Sequence, residues 1–96
     1  MNLRSSTTGY ATRLVTPKYP AAAKQQRVED QVTVKLLINV QTGIVEQACL
    51  AKGDTIFEQT SKDAALRSTF SFAGIKALPK QYHYAEGTMI YNFVPE

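Results

Sequence analysis

Few residues in this 96-residue chain carry side chains that do covalent or acid–base chemistry. Cys49 is the single thiol and His83 the single imidazole, and the sequence separates them widely. A Cys–His dyad needs its base within hydrogen-bond reach of the thiol, and no nucleophile motif surrounds Cys49. The carboxylates of Glu29 and Asp30 fall in a predicted turn, where they make a poor acid–base pair. We therefore expect no catalytic residues.

Metal, cofactor and nucleic-acid sites also lack their usual residues. One cysteine and one histidine cannot close a tetrahedral zinc site without carboxylates, so we expect no metal and no cofactor. The five glycines are scattered and form no phosphate-binding loop. Tyr91 and Phe93 would stack bases on a sheet, but the basic residues that interleave such aromatics are missing, so we expect no nucleic acid. A cytosolic thiol enzyme and an RNA-binding sheet stay as remote alternatives.

The composition indicates one globular domain. A hydrophobic fraction of 44% and a charged fraction of 20% are ordinary for a folded protein. The net charge of +3 is small and no dense Lys/Arg run accompanies it. A single cysteine excludes an internal disulfide, which suits the cytosol or a disulfide-free periplasmic domain. Neither a transmembrane run of about 18 apolar residues nor a signal peptide is visible, so we expect a cytosolic protein or a soluble piece of a longer one.

The strongest structural pattern is the alternation in residues 31–40, QVTVKLLINV. Aliphatic side chains occupy the even positions, which predicts a strand with one apolar face. Residues 41–43 predict a turn with glycine at a positive φ, and residues 44–50 predict the return strand of a hairpin. The apolar positions of that return strand change parity part-way, which predicts a β-bulge at residues 46–47.

Two helices flank this hairpin in the sequence. Pro20 suits the first position of a short helix that runs to about Arg27, and Tyr19 is expected to anchor the approach to it. Thr55 and Glu58 form a capping-box pattern, which predicts a longer helix over residues 56–69.

The last predicted strand covers residues 88–94, and its Met89, Tyr91 and Phe93 share one face. The fold class is therefore α+β, in the order short α-β-β-α-β: a three-stranded antiparallel sheet packed on one face by two helices. Residues 1–14 are polar and aperiodic and are predicted to be a flexible linker end, with the domain over residues 15–96. A loop containing Pro79 is predicted before the last strand.

The array from Val15 to Pro95 resembles the C-terminal domain of TonB-type energy transducers. The residues that carry this resemblance run in the expected order along the chain: Pro17-x-Tyr19-Pro20-x-x-Ala23, Gln31-Val32-x-Val34-x-Leu36-x-Ile38, Thr42-Gly43-Ile44-Val45, Phe57 with Ala64-Ala65, and Tyr91-x-Phe93.

The resemblance implies a periplasmic domain tethered to the inner membrane through an N-terminal segment. Such a domain binds the TonB-box segment of outer-membrane receptors by strand addition. It transmits work derived from the proton-motive force, through an inner-membrane motor complex, for uptake of siderophores or similar nutrients. A free sheet edge also allows a strand-exchanged homodimer. The partner-binding residues that the resemblance implies are Tyr19, Pro20, Thr88, Met89, Ile90, Tyr91, Asn92, Phe93 and Val94.

A second resemblance competes with the first. Gly53-Asp54-x-x-Phe57 and the ending Phe93-Val94-Pro95-Glu96 look like the C-terminal domain of TolA. That domain would bind periplasmic or outer-membrane partners for envelope integrity and serve as a port for colicins or phage. The Thr16–Ala23 segment favours the TonB resemblance.

Overall fold

The computed structural model describes residues 2–7, 9–74 and 83–94. Pro79, in the predicted loop before the last strand, therefore lies outside the described residues, as does Pro95. In chain order the elements are β1 (Asn2–Ser6), β2 (Tyr10–Arg13), α1 (Ala21–Gln25), β3 (Asp30–Asn39), β4 (Val45–Lys52), α2 (Glu58–Arg67), β5 (Thr69–Ser71) and β6 (Tyr84–Phe93).

The strands of the described chain form two antiparallel sheets. One has four strands in the order β1-β6-β3-β4, and the other pairs β2 with β5. The α+β class is confirmed, but the main sheet has four strands where three were predicted. β1 supplies the fourth, and both β1 and β2 arise in residues 1–14, which were predicted to be a linker end. Residues 1–14 show no apolar alternation, so their sequence shows no sign of these strands. Strands form there all the same, because the ladder is made by backbone groups, which every sequence supplies.

β3 lies between β4 and β6 and builds the centre of the core. Val32, Val34, Leu36 and Ile38 are buried, as predicted, and the odd-numbered residues between them lie on the opposite face. In the hairpin, Leu37 pairs with Gln47 while Ile38 pairs with Val45, which leaves Glu46 as an extra residue. The predicted β-bulge is therefore confirmed, and it returns Val45 and Ala48 to the buried face.

The short helix α1 begins one residue later than predicted. Pro20 has an extended backbone, with φ −61° and ψ 139°, and occupies the position before the helix. Ala23 is the buried residue of α1 and joins the core. The helix ends at Gln25, and Arg27 then adopts a left-handed φ of 52°, which turns the chain toward β3.

The longer helix is capped by a different residue from the one predicted. The side chain of Asp54 accepts a hydrogen bond from the backbone N–H of Ile56 at 3.0 Å. A single 3-10 turn, Thr55–Phe57, follows, and α2 begins at Glu58. The predicted capping box with Thr55 as its first member is therefore wrong, because the aspartate one residue earlier takes that role.

The turn between β3 and β4 packs directly on β5. Gly43 has a φ of 75°, and a Cβ placed on it would lie 1.8 Å from the carbonyl oxygen of Phe70. The N–H of Phe70 donates to the carbonyl oxygen of Gly43 at 2.9 Å. Both the positive φ and the close approach require glycine at this position, and they fasten the second sheet to the end of the hairpin.

Candidate functional site

β6, which contains most of the predicted partner-binding residues, presents two different faces. Met89, Tyr91 and Phe93 are fully buried in the core. The residues that alternate with them are half-buried on the opposite face of the sheet, called the outer face below: Thr88, Ile90 and Asn92. Val94, just past the strand, is 51% exposed. A segment that binds along β6 therefore meets backbone groups and outer-face side chains, and its own inward side chains would extend the core.

Both edges of β6 are paired in this structure. On one side β6 pairs with β3 along its whole length, from Asp30↔Phe93 to Asn39↔Tyr84. On the other side it pairs with β1, from Asn2↔Asn92 to Ser6↔Thr88. The last strand is therefore not a free edge of the main sheet, because β1 from the N-terminal segment covers it. The edge strands of the main sheet are β1 and β4.

Tyr19 lies at the C-terminal end of β6 and joins that strand to the segment before α2 and to the segment after α1. Its ring meets Phe57 edge-on at 5.8 Å and Phe93 edge-on at 5.6 Å, while Phe57 and Phe93 stack at 4.1 Å. Its hydroxyl donates to the carbonyl oxygen of Val28. Burial raises the pKa of Tyr19, and the negative charge of Glu29 raises it further. Tyr19, which is half-buried, is thus brought against Phe93 at the C-terminal end of β6, and Pro20 is its neighbour in the chain.

The hydroxyl of Tyr91 is buried in a less favourable setting. The side chain is fully buried, and among the described residues its oxygen has no hydrogen-bond partner. Burial raises the pKa of Tyr91, because the phenolate would be desolvated. The aromatic ring therefore stabilises the core while the hydroxyl opposes it.

The structure separates Cys49 and His83, which the thiol-enzyme alternative would need side by side. Cys49 pairs with Lys35 across the hairpin, whereas the carbonyl of His83 accepts from the N–H of Val40. Lys35 and Val40 are five residues apart along β3, about 17 Å at ~3.4 Å per residue, so Cys49 and His83 lie at different levels of the sheet. The described part of the chain also holds no cluster of three or more residues able to ligate a metal.

Asp30, paired with Glu29 in the sequence, has a structural role that the sequence did not reveal. One carboxylate oxygen accepts from the N–H of Gln31 at 2.8 Å, and the other accepts from the N–H of Asp54 at 2.7 Å. The carboxylate therefore joins the start of β3 to the loop before α2. Only its position directly before a strand hinted at such a role.

No described helix is both long enough and apolar enough to cross a membrane. Residues 15–93 match the protein family described as "Gram-negative bacterial TonB protein C-terminal". The match contains α1, β3, β4, α2, β5 and β6 and leaves β1 and β2 outside. No curated protein and no solved structure matches the chain. Because the matched residues span most of the sequence, and because they favour the TonB resemblance over the TolA one, this chain belongs to the TonB C-terminal domain family.

Proposed function

We propose that this domain is the receptor-binding end of a periplasmic TonB-type energy transducer. In this proposal the TonB-box segment of an outer-membrane receptor binds as an added strand on β6. The observation that carries it is the pairing of residues 88–92 with β1, since this side of β6 already accepts an extended antiparallel strand. Membership of the TonB family supports the same choice of partner. Backbone bonds would supply affinity, and alternate side chains would supply selectivity.

The proposed contact residues are Thr88 to Val94, with Tyr19 and Pro20 at one end. An inward side chain of the bound segment would pack beside Met89 and Tyr91. Near Phe93 it would approach the edge of the Tyr19 ring, which lies against Phe93 at 5.6 Å. The exposed Val94 would give the segment an apolar contact beyond the last ladder pair.

The sheet is arranged to carry load from a strand bound in this way. β6 is paired with β3 over ten consecutive residues, and β3 is paired in turn with β4. A pull along the strand direction acts on all bonds of such a ladder together, whereas a pull across it opens them one at a time. We propose that work from an inner-membrane motor complex reaches the receptor along this route, by way of an upstream segment tethered to the inner membrane. Siderophores and similar nutrients would be the cargo.

The proposal is tested by titrating the 15N-labelled chain with synthetic peptides copied from the N-terminal segments of TonB-dependent receptors of the source bacterium. The expected result is a set of amide shifts concentrated in residues 88–94 and near Tyr19. Ile90→Pro should abolish these shifts, because proline removes a backbone donor and distorts the strand.

Ile90→Thr is the matched control for the proline. It changes the same side chain but keeps the backbone N–H and a β-branched residue. Thermal unfolding of both variants shows whether the fold survives. Peptide-induced shifts that avoid residues 88–94 would refute strand addition at β6.

A further inference from the structure

The proposed docking edge is occupied by the chain's own N-terminal segment. Leu3 pairs with Tyr91, Arg4 with Ile90 and Ser5 with Met89. An incoming strand would therefore need the same backbone groups of β6 that β1 uses. β1 lies outside residues 15–93, which match the family.

Few side-chain contacts hold β1 on β6. Leu3 is its one hydrophobic side chain packed against the core. Ser5 points to the same side and is half-buried, while Arg4 and Ser6 are exposed. Near its end, the hydroxyl of Thr7 donates to the carbonyl oxygen of Glu86 at 3.1 Å. With so little apolar burial, opening of β1 costs far less than global unfolding.

β2, the next strand, is fastened much more firmly. The hydroxyl of Tyr10 donates to the carbonyl oxygen of Ala73 at 2.8 Å, and the hydroxyls of Thr12 and Thr69 lie 2.8 Å apart. Gly9 lies so close to β5 that a Cβ there would be 2.5 Å from the carbonyl oxygen of Ser71. Because β1 and β2 pair in different sheets, β1 is able to leave β6 while β2 stays in place.

We propose that β1 is an intramolecular competitor for the docking edge, and that a partner strand binds to β6 only when β1 is displaced. This inference rests on the proposed function, since it concerns the same site. Both strands would make similar backbone bonds, so side chains decide which one wins. β1 offers only a serine beside the buried Met89. A partner with apolar residues at the two positions now held by Leu3 and Ser5 gains burial that β1 lacks.

The competition sets a measurable affinity. A ligand that binds only the open form has its dissociation constant raised by the inverse of the open fraction. We therefore expect variants that release β1 to bind more tightly, by roughly 5- to 30-fold if the closed form is favoured by one to two kcal/mol. Variants that hold β1 more firmly should bind more weakly.

The test uses the full chain and two fluorescent peptides. One is a receptor N-terminal segment, and the other copies residues 1–7 of this chain with the change Ser5→Leu. In the chain itself, Leu3→Asp should tighten binding of both, because it removes the apolar contact of β1. Ser5→Leu should weaken it, because β1 then fills the site beside Met89. Ser6→Asp is the matched control, since it adds the same charge on an exposed position of β1.

A reversible lock guards against effects on folding. Arg4→Cys and Ile90→Cys, in a Cys49→Ser background, place a disulfide across a directly opposed pair whose Cα separation suits it. The oxidised chain should lose binding at residues 88–92, and reduction should restore it in the same sample. Affinities that Leu3→Asp and Ser5→Leu both leave unchanged, with amide shifts still at residues 88–94, would overturn competition by β1 while leaving strand addition at β6 intact. Equal affinity in the oxidised and reduced forms would instead mean that the peptide binds away from the edge that β1 covers, which would refute both proposals. If no variant, including Leu3→Asp, shows shifts at residues 88–94 with either peptide, the proposed function itself fails.

Discussion

Tyr19 and Tyr91 show at the residue scale how one side chain type takes two energetic roles. The Tyr19 hydroxyl is satisfied by the carbonyl of Val28, while the Tyr91 hydroxyl has no partner among the described residues. Both rings belong to one aromatic cluster with Phe93. The sequence placed Tyr91 correctly on the apolar face of a strand, but alternation carries no information about where a hydroxyl finds its partner.

Removing the two hydroxyls should therefore have opposite effects. Tyr91→Phe deletes a buried hydroxyl that has no partner among the described residues, and it should raise the free energy of unfolding by about 1 kcal/mol. Tyr19→Phe deletes a made hydrogen bond and should lower the free energy of unfolding. Urea denaturation of both variants beside the parent chain measures the difference. A destabilised Tyr91→Phe would show that the hydroxyl is paired after all.

The raised pKa values of the same tyrosines predict the stability at alkaline pH. An unfolded tyrosine ionises near pH 10, while burial keeps Tyr91 protonated to higher pH in the native state. The unfolded state therefore binds fewer protons above about pH 10, and the free energy of unfolding falls as pH rises. Tyr19 contributes in the same direction.

Tyr91→Phe should flatten this decline, because the variant lacks one of the two groups. Urea unfolding at a series of pH values between about 8 and 11 checks it, with tyrosinate absorbance as a second signal. An equally steep decline in the variant would mean that Tyr91 does not titrate differently in the two states.

At the scale of elements, a capping motif in the sequence marks where a helix begins, but neighbouring residues compete to be the cap. Thr55 and Glu58 fit a capping box, yet the carboxylate of Asp54 accepts the first free N–H of the turn. The backbone N–H of Asp54 itself donates to the carboxylate of Asp30, at the start of β3. That second contact joins two segments far apart in the sequence, so reading the motif alone could not choose between the two caps.

Replacing each candidate cap separates the two assignments. Asp54→Ala should lower the free energy of unfolding by about 1 kcal/mol, because the N–H of Ile56 loses its acceptor. Thr55→Ala should change it little, since the threonine side chain is exposed and does not cap the turn. The two variants, compared by thermal and urea unfolding, form a matched pair. An equal loss in both would restore the capping box.

At the scale of the whole molecule, β6 lies between β3 and β1 in the main sheet. On its inner face, Phe93 packs against the rings of Tyr19 and Phe57. β3, the clearest strand in the sequence, is a scaffold: it aligns β6 over ten residues and fixes the hairpin register. The strand proposed to bind a receptor, β6, is thus held on one side by a ten-residue ladder with β3. On the other side it is covered only by the five-residue β1, which buries little apolar surface. In our proposal, that asymmetry lets a partner strand replace β1 while the rest of the fold stays intact.

The sequence by itself determined the α+β class, the buried faces of β3 and β6, the bulge at Glu46 and the family. Each of these depends on side chains whose period or parity is written locally, and burial of apolar surface enforces that pattern. Only the tertiary structure decided what covers the proposed docking edge on β6. β1 reaches β6 across more than eighty residues through backbone pairing with almost no apolar burial, and backbone groups are the same in every residue. A polar segment therefore gives no sign of the edge that it will occupy.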